Sequence, residues 1–332
     1  MSGWQLGLAC WTCCLATAAA AEPRVTLESV DKWSGLLADS EVKLRYTVRA
    51  TGTSAAGIRW VLSVNRRTLD QGQAEFKVEP GKPIQATLPL RVPAVKEGVV
   101  LEAQLTVTAY ATADQPPAAE SRKFWIFAPD PFADRSQWLK GMGIALFDPE
   151  KKTAERFDQA HIPYKLTRNT SVLDELSDGL LVVGEGTAWR DYRSLGESVV
   201  KIASRGVPVL VLAPGEGAMR LPGAEAADVP APAAVTLRRE DVIGQYDKRL
   251  DWLAWPPDGE ITVSRLAITS DRDQVVAEFG RGGHGWPWLE VRYPASRGRL
   301  WVCGFGIVRS WEAGPAPRYL LAELLARLSA EK

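Results

Sequence analysis

A chain of 332 residues, 46% hydrophobic and 24% charged, is long enough for two packed cores and too apolar to be disordered throughout. Its 40 basic and 40 acidic residues cancel, and no dense Lys/Arg run restores a local field, so attraction to nucleic acid or anionic lipid is not expected. With 2 histidines, a transition-metal centre built on several imidazoles is excluded for a monomer.

Residues 1–21 carry no charged side chain. Residues 4–15 are mostly apolar and residues 16–21 are small, ahead of Glu22 and Pro23. This pattern predicts a secretory signal peptide cut near Ala20 or Ala21, and hence an exported, periplasmic or extracellular protein. The segment lacks a leading Lys or Arg, so an uncleaved N-terminal membrane tether is the alternative. A lipoprotein reading of Cys10 meets Gly7 where an aliphatic residue is expected. No later run is long and apolar enough to span a bilayer. Of 4 cysteines, Cys10, Cys13 and Cys14 fall in the leader. Cys303 is left alone in a strand-like run, where a small buried side chain is the plain expectation.

From residue 22 to 128 the hydrophobic period is two. Strands are expected over residues 25–30, 42–48, 58–64, 76–78, 84–92, 99–110 and 122–127, about seven in all. Short turn-rich links, such as Glu79-Pro80-Gly81, join them. Repeated short strands of this kind predict a two-sheet β-sandwich. It resembles the immunoglobulin/fibronectin-like group in pattern, without that group's Cys…Trp…Cys spacing. The boundary is placed at Ala128-Pro129-Asp130-Pro131, where two prolines interrupt pairing.

From residue 129 to 332 strands and helices alternate. Residues 143–147, 178–184, 207–213 and 299–303 read as strands, residues 161–166 begin a further extended segment, and 150–160, 192–204 and 318–328 read as helices. The run 207–213 is apolar on both faces, as a parallel strand under helices requires. A short helix is expected over 238–250, and residues 266–269, 275–279 and 288–293 are expected to extend or edge the same sheet. The order predicts a doubly wound, mostly parallel flavodoxin-like sheet.

Residues 180–184, Arg205-Gly206-Val207-Pro208-Val209-Leu210 and Gly304-Phe305-Gly306-Ile307 resemble the class I glutamine-amidotransferase-like superfamily. The resemblance implies a nucleophilic cysteine in the turn after the central strand. Here that turn reads Leu212-Ala213-Pro214-Gly215-Glu216-Gly217, with no thiol or hydroxyl. His284 with Glu290 does not reproduce the family's His-x-Glu either. A degenerate scaffold without glutaminase chemistry is therefore expected.

Two sets of residues stand out. His284, Trp286 and Trp288 occupy a glycine-rich loop, and Arg309, Trp311 and Glu312 follow the last core strand. Together they suggest an aromatic ligand pocket, against the plainer reading of tryptophans packed on the sandwich. Glu185 and Glu216 follow consecutive strands, where open α/β sheets place ligands, and Asp148 follows an earlier one. These carboxylates suit acid–base work on a glycan, Glu185 and Glu216 equally suit direct and water-mediated holding of a hard cation, or else they cap helix N-termini. Gly184-Glu185-Gly186 lacks the later glycine of a dinucleotide fingerprint, and no cofactor or metal motif is found. The expectation is a non-catalytic exported accessory or binding protein. Its expected partner is another exported protein, a carbohydrate or a second copy of itself. A glycan hydrolase using Glu185, Glu216 or Asp148 is the alternative.

Overall fold

The computed structural model describes residues 25–51, 54–79, 81–111, 116–223, 229–250, 266–269, 275–279, 285–293 and 295–330. The chain is mixed α/β, built mostly of strands arranged in several sheets. The expected leader lies outside the described residues.

Alternation governs the N-terminal part. Its strands are β1 (Val25–Ser29), β2 (Gly35–Leu37), β3 (Ser40–Ala50), β4 (Ser54–Val64), β5 (Arg67–Val78), β6 (Ile84–Val92), β7 (Val100–Tyr110) and β8 (Ala118–Phe127). Along β6, Ala86, Leu88, Leu90 and Val92 are buried while Gln85, Thr87, Pro89 and Arg91 face water. Three strands form one sheet, β1-β3-β6, and five form another, β2-β8-β7-β4-β5. Their inner faces share one core, where Leu44, Tyr46 and Leu88 meet Ile58, Leu105 and Phe124. The strand missed by sequence is β2, whose three residues are too short to display a period. Arg122 fixes the approach to β2, donating to the carbonyls of Asp31 and Trp33 at 2.7 and 2.9 Å.

The C-terminal part contains α1 (Ser136–Gly141), β9 (Ile144–Phe147), α2 (Lys152–Gln159), β10 (Lys165–Thr167), α3 (Thr170–Leu173), β11 (Leu180–Val183), α4 (Leu195–Ser204) and β12 (Val209–Leu212). There follow β13 (Gly217–Arg220), β14 (Ala234–Arg238), α5 (Val242–Tyr246), β15 (Leu266–Thr269), β16 (Val275–Phe279), β17 (Trp288–Tyr293), β18 (Gly298–Cys303) and α6 (Pro315–Ser329). The main sheet runs β10-β9-β11-β12-β18-β17-β14. The pairings from β10 to β18 are parallel, and those of β17 with β18 and β14 are antiparallel. Period two sorts each central strand between two cores. Leu180 and Val182 join the cluster holding Phe157, Leu321 and Leu325, whereas Leu181 and Val183 join that holding Leu195, Val199 and Ile202. Helices α2 and α6 thus cover one face and α4 the other.

Two expectations change here. Residues 266–269 and 275–279 do not edge the main sheet; β15 and β16 form a separate three-stranded sheet with β13. Met219, Leu266, Ile268 and Phe279 turn its apolar side onto the α4 core, so it buries its face without joining the larger sheet. The helix expected over 238–250 shrinks to α5, because Arg238 ends β14, opposite Trp288.

The junction serves as both last strand and docking surface. Phe127 closes β8 and enters the α6 core, its ring 4.7 Å from that of Tyr319. Tyr319 donates to the Ala128 carbonyl at 3.1 Å and Arg318 to that of Pro129 at 2.9 Å.

Candidate functional site

The carboxyl ends of β9 and β11 carry Asp148 and Glu185. Asp148 is 1% exposed, and its Oδ2 accepts the Ala154 N–H at 2.8 Å, holding the first turn of α2. Its Oδ1 is buried with no partner among the described residues. Burial pushes this carboxyl above the ordinary carboxylate range, opposed by backbone N–H groups at the start of α2. Gly184 makes the approach of β11 possible, since a Cβ there would lie 2.8 Å from the Asp148 carboxyl.

Glu185 is 6% exposed. Its N–H donates to Thr153 Oγ1 at 2.9 Å. Its carboxylate accepts from the Val308 N–H at 2.6 Å and the Arg309 N–H at 3.1 Å, clamping the loop after β18. Burial raises its pKa, while those N–H groups and the charges of Arg309 and Lys152 oppose the rise. Beside it opens a cleft of about 310 Å³ walled by Lys152, Glu155, Arg156, Val308 and Arg309.

Glu216 does not complete a pair with Glu185. The two turns touch through backbone, Gly186 N–H to Ala213 O at 2.9 Å and Gly215 N–H to Thr187 O at 2.8 Å. The carboxylates nevertheless part: Glu185 points inward to residues 308 and 309, and Glu216 is exposed, 2.9 Å from Arg190. Asp148 and Glu185 are the acidic residues that the sheet places on neighbouring strand ends.

The aromatic set is also divided. His284 lies outside the described residues. Trp286 is half-buried on the α4 side, with the Arg239 guanidinium 3.9 Å above its ring. Trp288 is fully buried in the opposite core, its Nε1 donating to Glu290 at 3.0 Å. Trp286 precedes β17 and packs with the α4 cluster while Trp288, the first residue of the strand, enters the opposite core, so the two rings share no wall, and both pack within the C-terminal part rather than on the sandwich. Trp311 is buried beneath Arg318. Arg309 is exposed at the Glu185 cleft. Glu312 pairs with Arg318 and, at 3.3 Å, with Arg156. Glu312 also borders a larger groove of about 610 Å³, between β2–β3 and the start of α6, with walls that include Trp33, Leu37, Val42 and Pro315. Cys303 is fully buried, and burial drives its thiol far above the ordinary range, so it offers no thiolate.

Sequence reasoning missed Glu290 as a centre. It is 3% exposed, and its Oε1 accepts from Arg238 Nε at 3.1 Å, Tyr246 Oη at 3.0 Å and Trp288 Nε1 at 3.0 Å. The detectable signal was the alternation Trp288, Glu290, Arg292, which puts a charge on the buried face of a strand. Among the described residues, no group of three or more His, Cys, Asp or Glu side chains is placed to hold a metal ion. No helix among them is long and apolar enough to cross a membrane.

No known protein family matches the chain, and no curated protein does. Similar solved structures include Spo0M, the sporulation control protein of Bacillus subtilis. It is 11% identical, with 36% of this chain aligned to 56% of that one and a TM-score of 0.27. The CARDB domain of a Pyrococcus furiosus protein in complex with di-metal ions is also 11% identical, over 31% of this chain and 88% of that one, with a TM-score of 0.24. The Pseudomonas fluorescens alkylpurine DNA glycosylase AlkC bound to DNA is 10% identical, over 32% of this chain and 31% of that one, with a TM-score of 0.23. Likenesses this slight carry no functional argument.

Proposed function

We propose that this is an exported, non-catalytic accessory or binding protein that engages a protein or a carbohydrate. In this reading residues 22–128 are an immunoglobulin-like spacer and residues 129–332 a degenerate amidotransferase-like scaffold. The observation that carries it is the commitment of each candidate carboxylate. Glu185 clamps residues 308 and 309, Asp148 holds α2, and Glu216 pairs with Arg190. The groove beside Glu312 offers the space for a partner, with apolar walls and polar edges. Calorimetric titration of the full chain against soluble glycans and extended peptides tests this. A ligand whose affinity falls about tenfold in Glu312→Ala and holds in Trp286→Ala is expected, as about 1.4 kcal/mol for one lost charged contact. No binding to any of them would count against the reading.

The hydrolase alternative keeps one supporting observation: Asp148 and Glu185 sit on adjacent strand ends, and burial raises both. Release of reducing ends from a glycan, abolished in Glu185→Gln and Asp148→Asn, would replace binding with catalysis.

A further inference from the structure

Strand β3 is longer than the strand that covers one of its edges. The register with β1 runs from Val25 opposite Ala50 to Ser29 opposite Tyr46. Beyond it the Val30 N–H donates to the Arg45 carbonyl at 2.9 Å, and the Arg45 N–H donates to Asp31 Oδ2 at 2.6 Å. The main-chain groups of Arg45 therefore face the β1 side. By the period of two, so do those of Lys43 and Glu41. The other edge agrees, because Lys43 lies opposite Pro89 of β6, which has no N–H to exchange. The N–H and C=O of Glu41 and Lys43 thus point away from β6 and past the end of β1, with no hydrogen-bond partner among the described residues.

An open strand edge is a template for another strand. This one opens into the groove of about 610 Å³, whose walls include Trp33, Leu37, Val42 and Pro315. Leu44, Tyr46 and Val48 on the inner face of β3 are fully buried, while Val42 on the same face is only half-buried. The apolar face of β3 is incomplete where its edge is open.

We propose that the groove takes an extended peptide segment of a partner protein, added as a strand antiparallel to β3 and in line with β1. This rests on the reading of the groove as the partner site, and it narrows protein or carbohydrate to polypeptide. A peptide main chain answers the alternating N–H and C=O of an edge in register, which sugar hydroxyls do not. The part of β3 that lines the groove, Ser40 to Lys43, is about 13 Å long at about 3.3 Å per residue. Glu41 and Lys43 are exposed, so the residues opposite them face outward and the residue between meets Val42. Opposite charges directly across a ladder stabilise it. The segment therefore reads acidic, apolar, basic from its N-terminal end. A second copy of the chain fits less well, because its own edge is recessed in the same way.

The test is fluorescence polarisation of the full chain with the labelled, end-capped peptide Glu-Val-Lys-Val-Thr. Antiparallel pairing sets its Glu opposite Lys43 and its Lys opposite Glu41. Binding is expected, and N-methylation of the amides of that Glu and Lys should weaken it about tenfold or more, as lost main-chain bonds. N-methylation of the Val between them, whose N–H points away from β3, should change it less than about twofold. Lys43→Pro removes a groove-facing N–H and no bond to β6, so it should keep the parent's circular dichroism and bind about tenfold more weakly. Glu41→Lys, an exposed change that spares the backbone, should reverse the preference toward Glu-Val-Glu-Val-Thr. Binding that is indifferent to which amides are methylated, or to Glu41→Lys, would overturn strand addition. A glycan bound in a Glu312-dependent way, with no peptide bound, would overturn it and leave the groove as the partner site; neither bound would remove both. A dimer in sedimentation equilibrium that Lys43→Pro dissociates would give the edge to a second copy and overturn the peptide assignment.

Discussion

Glu185 spends its carboxylate on two backbone donors from a segment more than a hundred positions away, Val308 and Arg309. A glutamine in its place accepts one of those N–H groups and turns its own amide toward the other. Glu185→Gln should therefore destabilise the chain by about 1–3 kcal/mol, the cost of one unanswered buried donor, as read by urea unfolding at neutral pH. The pH dependence follows from the direction of the shift. Burial raises the pKa of Glu185 and of Asp148, so the folded chain holds protons that the unfolded chain has released. Stability then falls as pH rises from about 4, the unfolded carboxylate range, to the higher folded values. Fluorescence-monitored melting across that window should give a slope that is shallower in Asp148→Asn and Glu185→Gln. A slope of the opposite sign in the parent, unaltered by either change, would contradict the account. Cys303 gives the complementary case. Its solitude was visible in sequence, while its inaccessibility depends on strands that pair with it from far along the chain.

At the scale of elements, the approach of α4 to β18 depends on Gly298. A Cβ there would run into the carbonyl oxygen of Ala203, a backbone atom that cannot turn aside. Gly298→Ala should cost at least about 3 kcal/mol, since the helix end must be displaced bodily. Chemical denaturation showing a loss below 1 kcal/mol would mean that the helix yields more readily than close packing allows. Elements of this kind divide what was legible from what was not. Strands β11 and β12 announce themselves because burial on both faces demands uninterrupted apolar runs. Strand β6 does so because one wet face demands alternation. By contrast β2 is too short for a period, and β13 follows a turn whose glycines dominate the local pattern. The candidate site was legible in its residues and not in its pairings. Glu185 and Glu216 follow successive strands, yet their side chains take different partners. Trp286 and Trp288 are two apart, which within a strand would put them on one face, yet Trp286 lies ahead of β17 and the two rings enter different cores. Glu290 gathers Arg238 from β14, Tyr246 from α5 and Trp288 from its own strand, so no local window of sequence contains that cluster.

Across the whole molecule, the N-terminal sheets and the C-terminal sheet do not meet through a bare linker. Phe127 is the last residue of one sheet and is fully buried in the core of the other part, against Tyr319. Gly35 of β2 lies so close to α6 that an added Cβ would sit 2.9 Å from Pro315. Bonds from Tyr319 and Arg318 to the carbonyls of Ala128 and Pro129 satisfy backbone that the prolines leave outside any sheet. Interfaces of this kind couple unfolding when they are apolar and shared, and permit relative motion when they are not. Scanning calorimetry of the full chain should accordingly give one cooperative transition. Tyr319→Ala, which removes both ring and hydroxyl, should cost about 2 kcal/mol or more and separate the transition into two. Tyr319→Phe keeps the ring on Phe127 and loses one hydrogen bond, so it should cost about 0.5–1.5 kcal/mol and leave the transition single. The comparison isolates the aromatic contact, because both variants lose the bond to Ala128. Two independent transitions in the parent would show that Phe127 is merely covered by α6 and transmits no stability across the junction.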